Sequence, residues 1–494
     1  MKRKKLRHSL VYGTALLFAS NVLVKGLGFY YRVALVRLLG AEGIGLVEMV
    51  TPVYSFLLVL AGLGLQPALA QSVAGDRSSS ETSFSVTRRL LLISGLGVSL
   101  VAAALAPKLA LYFVADPRVE MSLLAITPAV FIVSLASAWR GWFQGRRDLG
   151  VLGMSQNTEQ VVRVALGLYL VPQLLGLGLE QGAAGVSLAT VGGELAGFLY
   201  LALTGSIRRR KPVPAGRERR QLQAARRLLS YGLPMTGGRL VNSALLMLQA
   251  YLIPFCLQTA GCSVSAATEI YGRFSGVALT LLHLPGVFAS ALATAVMPAV
   301  AENAGTPEVL RPYIQRPLQA TIICTLPGMT LLFLYAKPLC AILFHNAPAA
   351  PILRALAPGG IFFYLQMTLA GIIQGLGDVR RLLINNTVSG CLLLVGVVLL
   401  VPLPDVGIYG AALASDLAWL CGTLLHLATV RRHLRQGLPW LKIAGPPLLA
   451  LAAAFTAWLI CEKTAAGGGA WFSIAGAAVA YLLTLFSCGR SFSL

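Results

Sequence analysis

Charged residues are scarce in this chain. They make up 12% of its 494 residues, whereas a soluble domain carries about a quarter. Because 56% of the residues are hydrophobic, a soluble fold would have too few polar side chains to cover its surface. The composition therefore excludes an ordinary soluble protein and predicts a membrane protein built of apolar helices.

Acidic residues are scarcer still. Only 18 Asp and Glu stand against 40 Lys and Arg, which leaves a formal net charge of +22. Proteins that bind nucleic acid combine such a charge with a soluble composition, so we expect no nucleic-acid partner. In a membrane protein the same excess arises from basic cytoplasmic loops. Most of the charge is thus interpreted as a determinant of topology.

Several motifs of catalytic and metal sites are absent from the sequence. It contains no GxxxxGK[ST], HExxH or GxSxG, so we expect no enzymatic activity and no catalytic residues. Its 8 cysteines form no CxxC and its 5 histidines have no ligand spacing. We therefore expect neither a metal site nor a bound cofactor.

Long apolar segments are plentiful instead. A helix needs about 20 residues to cross the hydrocarbon core, and by this criterion the chain has about fourteen spans. The first two lie at 10–33 and 46–72, and the last two lie at 443–461 and 470–488. The basic N-terminal segment and the even number of spans place both termini on the cytoplasmic side.

The two halves of the chain resemble each other after a shift of about 230 residues. Two pairs of matching segments carry this repeat: Gly141-x-x-Gln144-Gly145-x-x-Asp148 with Gly371-x-x-Gln374-Gly375-x-x-Asp378, and Pro67-Ala68-Leu69-Ala70 with Pro298-Ala299-Val300-Ala301. The repeat predicts an all-α polytopic fold with two six-helix lobes in pseudo-twofold repeat. The lobes are expected at 1–205 and 229–430, with a basic cytoplasmic linker at 206–228 and an extra C-terminal helix pair at 443–488. Such repeats suit alternating access around a substrate near the bilayer midplane.

Cations inside the spans are candidate binding residues, because a charge at the bilayer centre costs about 2.5 kcal/mol or more. The uncharged start of the first span is too short to cross the core, which places Lys25 and Arg32 in the membrane or at its edge. Arg239 and Arg273 fall in the seventh and eighth spans. Together these four predict a cavity that attracts an anion such as phosphate. Interfacial placement is the alternative for Lys25, Arg32 and Arg273.

Acids inside the spans are candidates for coupling. Glu48, Glu194 and Asp416 are expected either to bind the Na⁺ or H⁺ that drives transport or to pack against polar neighbours. Glu159 and Arg163 lie one helical turn apart, and we expect them to form a structural ion pair.

Three segments resemble a known family. They are Gly26-Leu27-Gly28-Phe29-Tyr30-Tyr31-Arg32, the following Leu39-Gly40-Ala41-Glu42-Gly43-Ile44-Gly45, and Ala291-Leu292-Ala293-Thr294-Ala295-Val296-Met297-Pro298-Ala299-Val300. They resemble the stage V sporulation protein B branch of the MATE-like (multidrug/oligosaccharidyl-lipid/polysaccharide) flippase superfamily, which also contains the MurJ-type flippases.

The resemblance implies a flippase of the bacterial cytoplasmic membrane. It would move lipid II or another undecaprenyl-pyrophosphate-linked oligosaccharide in cell-wall, spore-cortex or polysaccharide synthesis, with membrane lipids and cell-wall enzymes as further partners. It also implies that Arg32 and Lys25 hold the pyrophosphate, with a less close match for Arg273. Where MurJ-like members have another arginine in the second span, this chain has Val59 or an apolar neighbour.

Two other functions remain open. A cation-coupled multidrug exporter of the same fold is one, although its cationic substrates would be repelled by a basic cavity. A scaffold that recruits cell-wall enzymes without transport is the other, with the basic linker touching anionic lipid or a partner.

Overall fold

Helices account for the regular structure of this protein. A computed structural model describes residues 2–75, 80–208, 218–434, 438–464 and 477–485. Within these ranges, ten helices are long and apolar enough to cross a membrane. The predicted all-α polytopic membrane fold is confirmed.

The first of two compact units comprises Met1–Val277, Ala341–Ala347 and Val397–Ile408. Its main helices are α1 (Lys2–Gly62), α2 (Leu65–Gly75), α3 (Ser80–Phe113), α4 (Glu120–Gly145), α5 (Leu149–Leu175), α6 (Leu179–Arg208), α7 (Glu218–Thr259) and α8 (Val264–Tyr271). A π-helical segment, Gly272–Ala278, follows α8.

The second unit comprises Ala278–Cys340, Pro348–Gly396 and Tyr409–Leu494. Its helices are α9 (Leu279–Asn303), α10 (Pro307–Leu334), part of α11 (Ala336–Phe344), α12 (Ala350–Gly375), most of α13 (Val379–Leu400), α14 (Ile408–Arg431), α15 (Trp440–Thr464) and a helix at 477–485. Parts of the predicted linker (209–217) and of the last predicted span (470–476 and 486–488) lie outside the described residues. The predicted lobe boundaries stay a prediction.

The first predicted span and most of the second (46–72) lie in one helical element, α1, which is interrupted at Gly40, and the rest of the second span lies in α2. The backbone there has φ 70° and ψ −176°, a conformation that side chains with a Cβ rarely adopt. A single glycine therefore redirects the chain at the point where the sequence analysis left a gap between two spans.

Glycine also lets α1 approach α8 closely. A Cβ on Gly45 would lie 2.2 Å from the carbonyl oxygen of Thr268, and one on Gly272 would lie 1.8 Å from that of Ala41. No other residue fits at either position without moving the backbone. Helix packing thus explains Gly45 of the segment that carries the family resemblance.

A buried carboxylate connects the segment between α3 and α4 to α1 and α8. Asp116 is fully buried, and it accepts a hydrogen bond from Thr268 at 2.7 Å and an ion pair from Arg118 at 2.8 Å. Arg118 also pairs with Glu42 of α1 at 2.7 Å. One guanidinium thus serves two carboxylates, and the hydroxyl of Thr268 donates to the more deeply buried one.

The repeated glycine motif packs in the same way in each half of the chain. In the first unit, a Cβ on Gly141 of α4 would lie 2.7 Å from the carbonyl oxygen of Gln66, and one on Gly145 would lie 2.6 Å from that of Ala70. The motif thus packs against α2, which contains the first copy of the Pro-Ala segment.

The second copy makes the corresponding contact within its own unit. A Cβ on Gly371 of α12 would lie 2.4 Å from the carbonyl oxygen of Ala293, and one on Gly375 would lie 2.6 Å from that of Met297. Both partners belong to α9, next to the second Pro-Ala segment. The two repeated segments are therefore partners in one helix–helix contact.

The turn that follows each motif is also the same. The amide of Asp148 donates to the carbonyl of Phe143 at 3.0 Å, and that of Asp378 donates to Ile373 at 3.2 Å. The preceding residues have positive φ, 61° at Arg147 and 78° at Gly377. This pattern ends a helix by satisfying its last carbonyls.

We predict that Gly141→Ala lowers stability. The added methyl group would overlap the α2 backbone, and overpacking costs about 1–3 kcal/mol. The thermal melting temperature of the detergent-purified chain is the measurement. Gly97→Ala is the matched control, since a Cβ on Gly97 of α3 meets nothing within 4 Å. Equal melting temperatures for the two variants would contradict the close contact.

Candidate functional site

A polar cavity lies within the first unit. Its volume is about 580 Å³, which is typical of small-molecule sites. It is lined by Ser55, Leu58, Val59, Gly62, Gly64, Gln66, Pro67, Val133, Ser137, Arg140, Thr236, Gly238, Arg239, Asn242, Ser243 and Leu246. Two arginines and no acid are among these described lining residues.

Helical spacing places the polar groups together. Ser137 and Arg140 are three residues apart on α4, and Thr236, Arg239 and Ser243 are three and four apart on α7. Residues at these spacings share one face of a helix. One face of each helix is therefore directed into the cavity.

Arg239, one of the four cations predicted to bind the substrate, lines this cavity. Within the described part of the chain, no carboxylate lies in ion-pair range of its guanidinium. Its charge is therefore available to a ligand. The other three predicted cations, Lys25, Arg32 and Arg273, are not among the lining residues that the structure describes.

Arg140 was missed by the sequence analysis. It lies near the end of a predicted span, at 121–143, and on the same helix face as Ser137. That position in an apolar segment was the available signal.

Arg140 belongs to a buried network of four charges. Its Nη2 lies 3.0 Å from Oε2 of Glu159 and 3.2 Å from Oε2 of Glu194. Arg163 reaches the other oxygens of both acids, at 2.6 Å to Glu159 and 3.0 Å to Glu194. The four side chains are 9% to 22% exposed. The predicted Glu159–Arg163 pair is confirmed, and it is half of a larger neutral network.

Glycines on α6 make room for this network. A Cβ on Gly193 would lie 2.8 Å from the carbonyl oxygen of Glu159, and one on Gly197 would lie 3.1 Å from the Glu159 Cβ. Because α5 and α6 approach so closely, Glu194 of α6 reaches both arginines. The candidate coupling acid Glu194 is thus held between two guanidinium groups.

Arg32 and Glu48, both on α1, form a second compensated pair. Arg32 Nη2 lies 2.5 Å from Glu48 Oε1, and Ser275 donates a hydrogen bond to the other oxygen of Glu48 at 2.7 Å. Ser275 lies in the π-helical segment, a form often found at functional sites. Arg32, which was predicted to bind pyrophosphate, and Glu48, which was predicted as a coupling acid, are therefore partners in one ion pair.

The remaining predicted residues lie elsewhere. Arg273 pairs with Glu269 one turn earlier, at 2.5 Å, and Lys25 is exposed on α1. Asp416 belongs to the second unit, where a Cβ on Gly359 would lie 2.0 Å from its Oδ1. That oxygen is buried and has no hydrogen-bond partner in the described structure.

We predict that Arg32 and Glu48 are coupled in stability. Arg32→Ala leaves a largely buried carboxylate without its partner, which we expect to cost about 2 kcal/mol. Adding Glu48→Gln should recover most of the lost melting temperature, because no charge then remains to be compensated. Additive losses in the double variant would show that the two side chains act independently.

Two family models together match most of the chain. The family described as "Polysaccharide biosynthesis protein" matches residues 10–304, and the MatE family matches residues 275–400. Stage V sporulation protein B of Bacillus subtilis (strain 168) is 33% identical over 446 residues, with 87% of this chain and 85% of that protein covered.

More distant relatives agree. Lipid II flippase MurJ of Bacillus subtilis (strain 168) is 22% identical over 457 residues, covering 86% of this chain and 83% of that protein. A solved structure of lipid II flippase MurJ in an inward closed conformation superimposes with a TM-score of 0.75 at 15% identity, covering 97% of this chain and all of that one. This structural likeness shows the fold. On the family match and the sporulation relative together, the chain is a multi-pass membrane transporter that belongs to the polysaccharide biosynthesis protein family, in the stage V sporulation protein B and MurJ branch of the MATE-like flippase superfamily.

Proposed function

We propose that the chain is a flippase for a polyprenyl-pyrophosphate-linked glycan, with a lipid II-type peptidoglycan precursor as its substrate class. The observation that carries the proposal is the cavity inside an apolar helical unit, which has two arginines and no acid among its described lining residues. The similarity to stage V sporulation protein B and to a lipid II flippase supports it.

The cavity suits the headgroup of such a lipid. Guanidinium groups bind phosphate oxygens in bidentate fashion and keep their charge at any physiological pH. Gln66, Asn242 and Ser55 supply amide and hydroxyl groups for sugar hydroxyls. If the pyrophosphate of such a lipid binds between Arg140 and Arg239, the first sugar attached to it lies near these polar side chains.

The four-charge network positions Arg140 for this role. Both of its ion pairs use Nη2, so the N–H groups of Nη1 are left for a ligand. Glu159 and Glu194 hold the guanidinium in place, and Arg163 balances the second carboxylate charge. Arg140 is therefore preorganised within a neutral network, with Nη1 directed to no carboxylate among the described residues.

Transport is proposed to follow alternating access between two lobes, as the repeat in the sequence suggests. The asymmetry of basic residues supports a cytoplasmic location of both termini in a bacterial cytoplasmic membrane. Peptidoglycan or polysaccharide synthesis, with sporulation as one context, is the proposed pathway class. Association with cell-wall enzymes stays a prediction.

Coupling to an ion is proposed at Asp416. Glu48 and Glu194 already have arginine partners, whereas Asp416 Oδ1 is buried without a described hydrogen-bond partner. A carboxylate in that position is suited to accept a proton or to ligate Na⁺.

Flipping of lipid II and of other polyprenyl-pyrophosphate glycans in reconstituted vesicles tests the substrate site. We expect Arg140→Gln and Arg239→Gln each to slow flipping about tenfold or more, since a hydrogen bond to a charged group contributes about 1.5–3 kcal/mol. Arg226→Gln, on an exposed position of α7 that does not line the cavity, is the matched control.

The double variant Arg140→Gln/Glu159→Gln keeps the network neutral and separates binding from folding. It should fold like the parent chain and still flip slowly. Unchanged flipping by Arg239→Gln and by this double variant would contradict the proposed site. Transport of ethidium, with no flipping of any glycan lipid, would favour the multidrug exporter instead.

Asp416→Asn tests the coupling site separately. Because the amide neither takes up a proton nor carries charge, we expect flipping driven by a Na⁺ or pH gradient to fall to the rate without a gradient. Glu120→Gln, outside the proposed sites, is the control. Gradient-dependent flipping by Asp416→Asn would rule out this residue.

A further inference from the structure

A second polar cavity lies in the first unit, away from the arginines of the substrate site. Its volume is about 410 Å³, and it lies between α2, α3 and α7, with its α7 lining residues Arg220, Gln223 and Arg227 exposed. Its polar lining residues are Ser72, Thr82, Ser83, Arg220, Gln223 and Arg227. Two arginines thus face three hydroxyl groups, and no acid is among the lining residues that the structure describes.

Helical geometry directs both arginines to the same side. Arg220, Gln223 and Arg227 are spaced by three and four residues on α7, so they share one face, and the two arginines are about 10 Å apart along the axis. Neither guanidinium forms an ion pair within the described residues. The cavity therefore carries two positive charges that no neighbouring carboxylate compensates.

The packing around the cavity holds its walls in place. Leu228 is 2% exposed and belongs to the hydrophobic core that also contains Val73 and Phe84. Arg89 of α3 donates a hydrogen bond to Gln221 of α7 at 3.1 Å. Apolar contacts and a hydrogen bond thus hold α7 against α2 and α3. A polar space remains between the three helices.

Hydroxyl groups on the opposite wall are able to donate. Ser72 and Ser83 are 2.9 Å apart and share one hydrogen bond, which uses only one of their two hydroxyl hydrogens. Ser83 is 4% exposed. A ligand with several acceptor oxygens and negative charge would satisfy the spare hydroxyl hydrogen and both guanidinium groups.

We propose that this cavity is a binding site for a phosphate ester, separate from the substrate site. Phosphate fits better than a carboxylate because it offers three or more acceptor oxygens to two guanidinium groups and a hydroxyl wall. The ligand is the phosphate of an anionic phospholipid headgroup or of a soluble phosphate compound. Its binding would clamp the first turns of α7 to α2 and α3.

Ligand binding by the purified full chain tests the site. One arm compares melting temperatures in inorganic phosphate and in chloride at equal ionic strength. The other arm compares nanodiscs of phosphatidylglycerol with nanodiscs of phosphatidylcholine, with bound phosphatidylglycerol counted by native mass spectrometry. Stabilisation by phosphate alone identifies a soluble ligand, and stabilisation by phosphatidylglycerol alone identifies a lipid headgroup. Either result supports the site if it depends on the arginine pair.

Variants with the same change in net charge test whether binding depends on Arg220 and Arg227. We expect Arg220→Gln/Arg227→Gln to weaken binding about tenfold, whereas Arg88→Gln/Arg226→Gln removes the same charge from exposed positions that do not line the cavity and should leave binding unchanged. Arg220→Lys/Arg227→Lys keeps the charge and replaces the glutamine variant as the test if that variant does not fold. It should weaken binding less than the glutamine variant does.

Equal losses in the lining pair and the control pair, or no stabilisation by either ligand, would overturn the proposal. Because the readout is binding and not transport, its outcome does not depend on the proposed flippase activity.

Discussion

Charge compensation inside an apolar structure is the constraint on which the rest depends. A buried charge is tolerated only with a partner, since its desolvation costs several kcal/mol. The network of Arg140, Glu159, Arg163 and Glu194 meets this requirement with two charges of each sign. Arg32 with Glu48 repeats the solution on a smaller scale. Arg239 is exposed and lines a cavity, so the cost of an unpaired buried charge does not apply to it.

Glycine determines where such networks can form. Gly193 and Gly197 let the α6 backbone pack closely against α5, so that the side chain of Glu194 reaches the arginine side chains. Elsewhere the repeated glycines of α4 and α12 set the same close contact in both halves of the chain. Apolar helix surfaces gain little free energy by associating with each other in lipid. The packing energy comes instead from the close approach of helix backbones. Polar function and glycine packing are thus parts of one arrangement.

The two polar cavities of the first unit use the same chemistry at different places. Each combines a pair of arginines on helix faces with hydroxyl and amide groups, and neither includes an acid among its described lining residues. They differ in how their arginines are supported. Arg140 is oriented by carboxylates, which suits a ligand that must be bound and then released. Among the described residues, Arg220 and Arg227 have no carboxylate partner.

Much of the fold was predictable from the sequence, because hydrophobic segment length and repeated motifs are local properties of the chain. The all-helical membrane architecture, the internal repeat and the Glu159–Arg163 pair all follow from spacing. The break at Gly40 was less accessible, since glycine is common in such helices and only the backbone shows which one has a positive φ.

The order of residues along the chain is enough to place Arg32, Glu48, Glu194 and Arg239 in apolar segments, where a charge needs a partner or a polar cavity. Which of the two each residue has depends on helix packing: Arg32 meets Glu48, Glu194 meets Arg140 and Arg163, and Arg239 lines a cavity. The cost of burying a charge follows from local composition, whereas its compensation requires side chains that the fold brings within a few ångströms of each other.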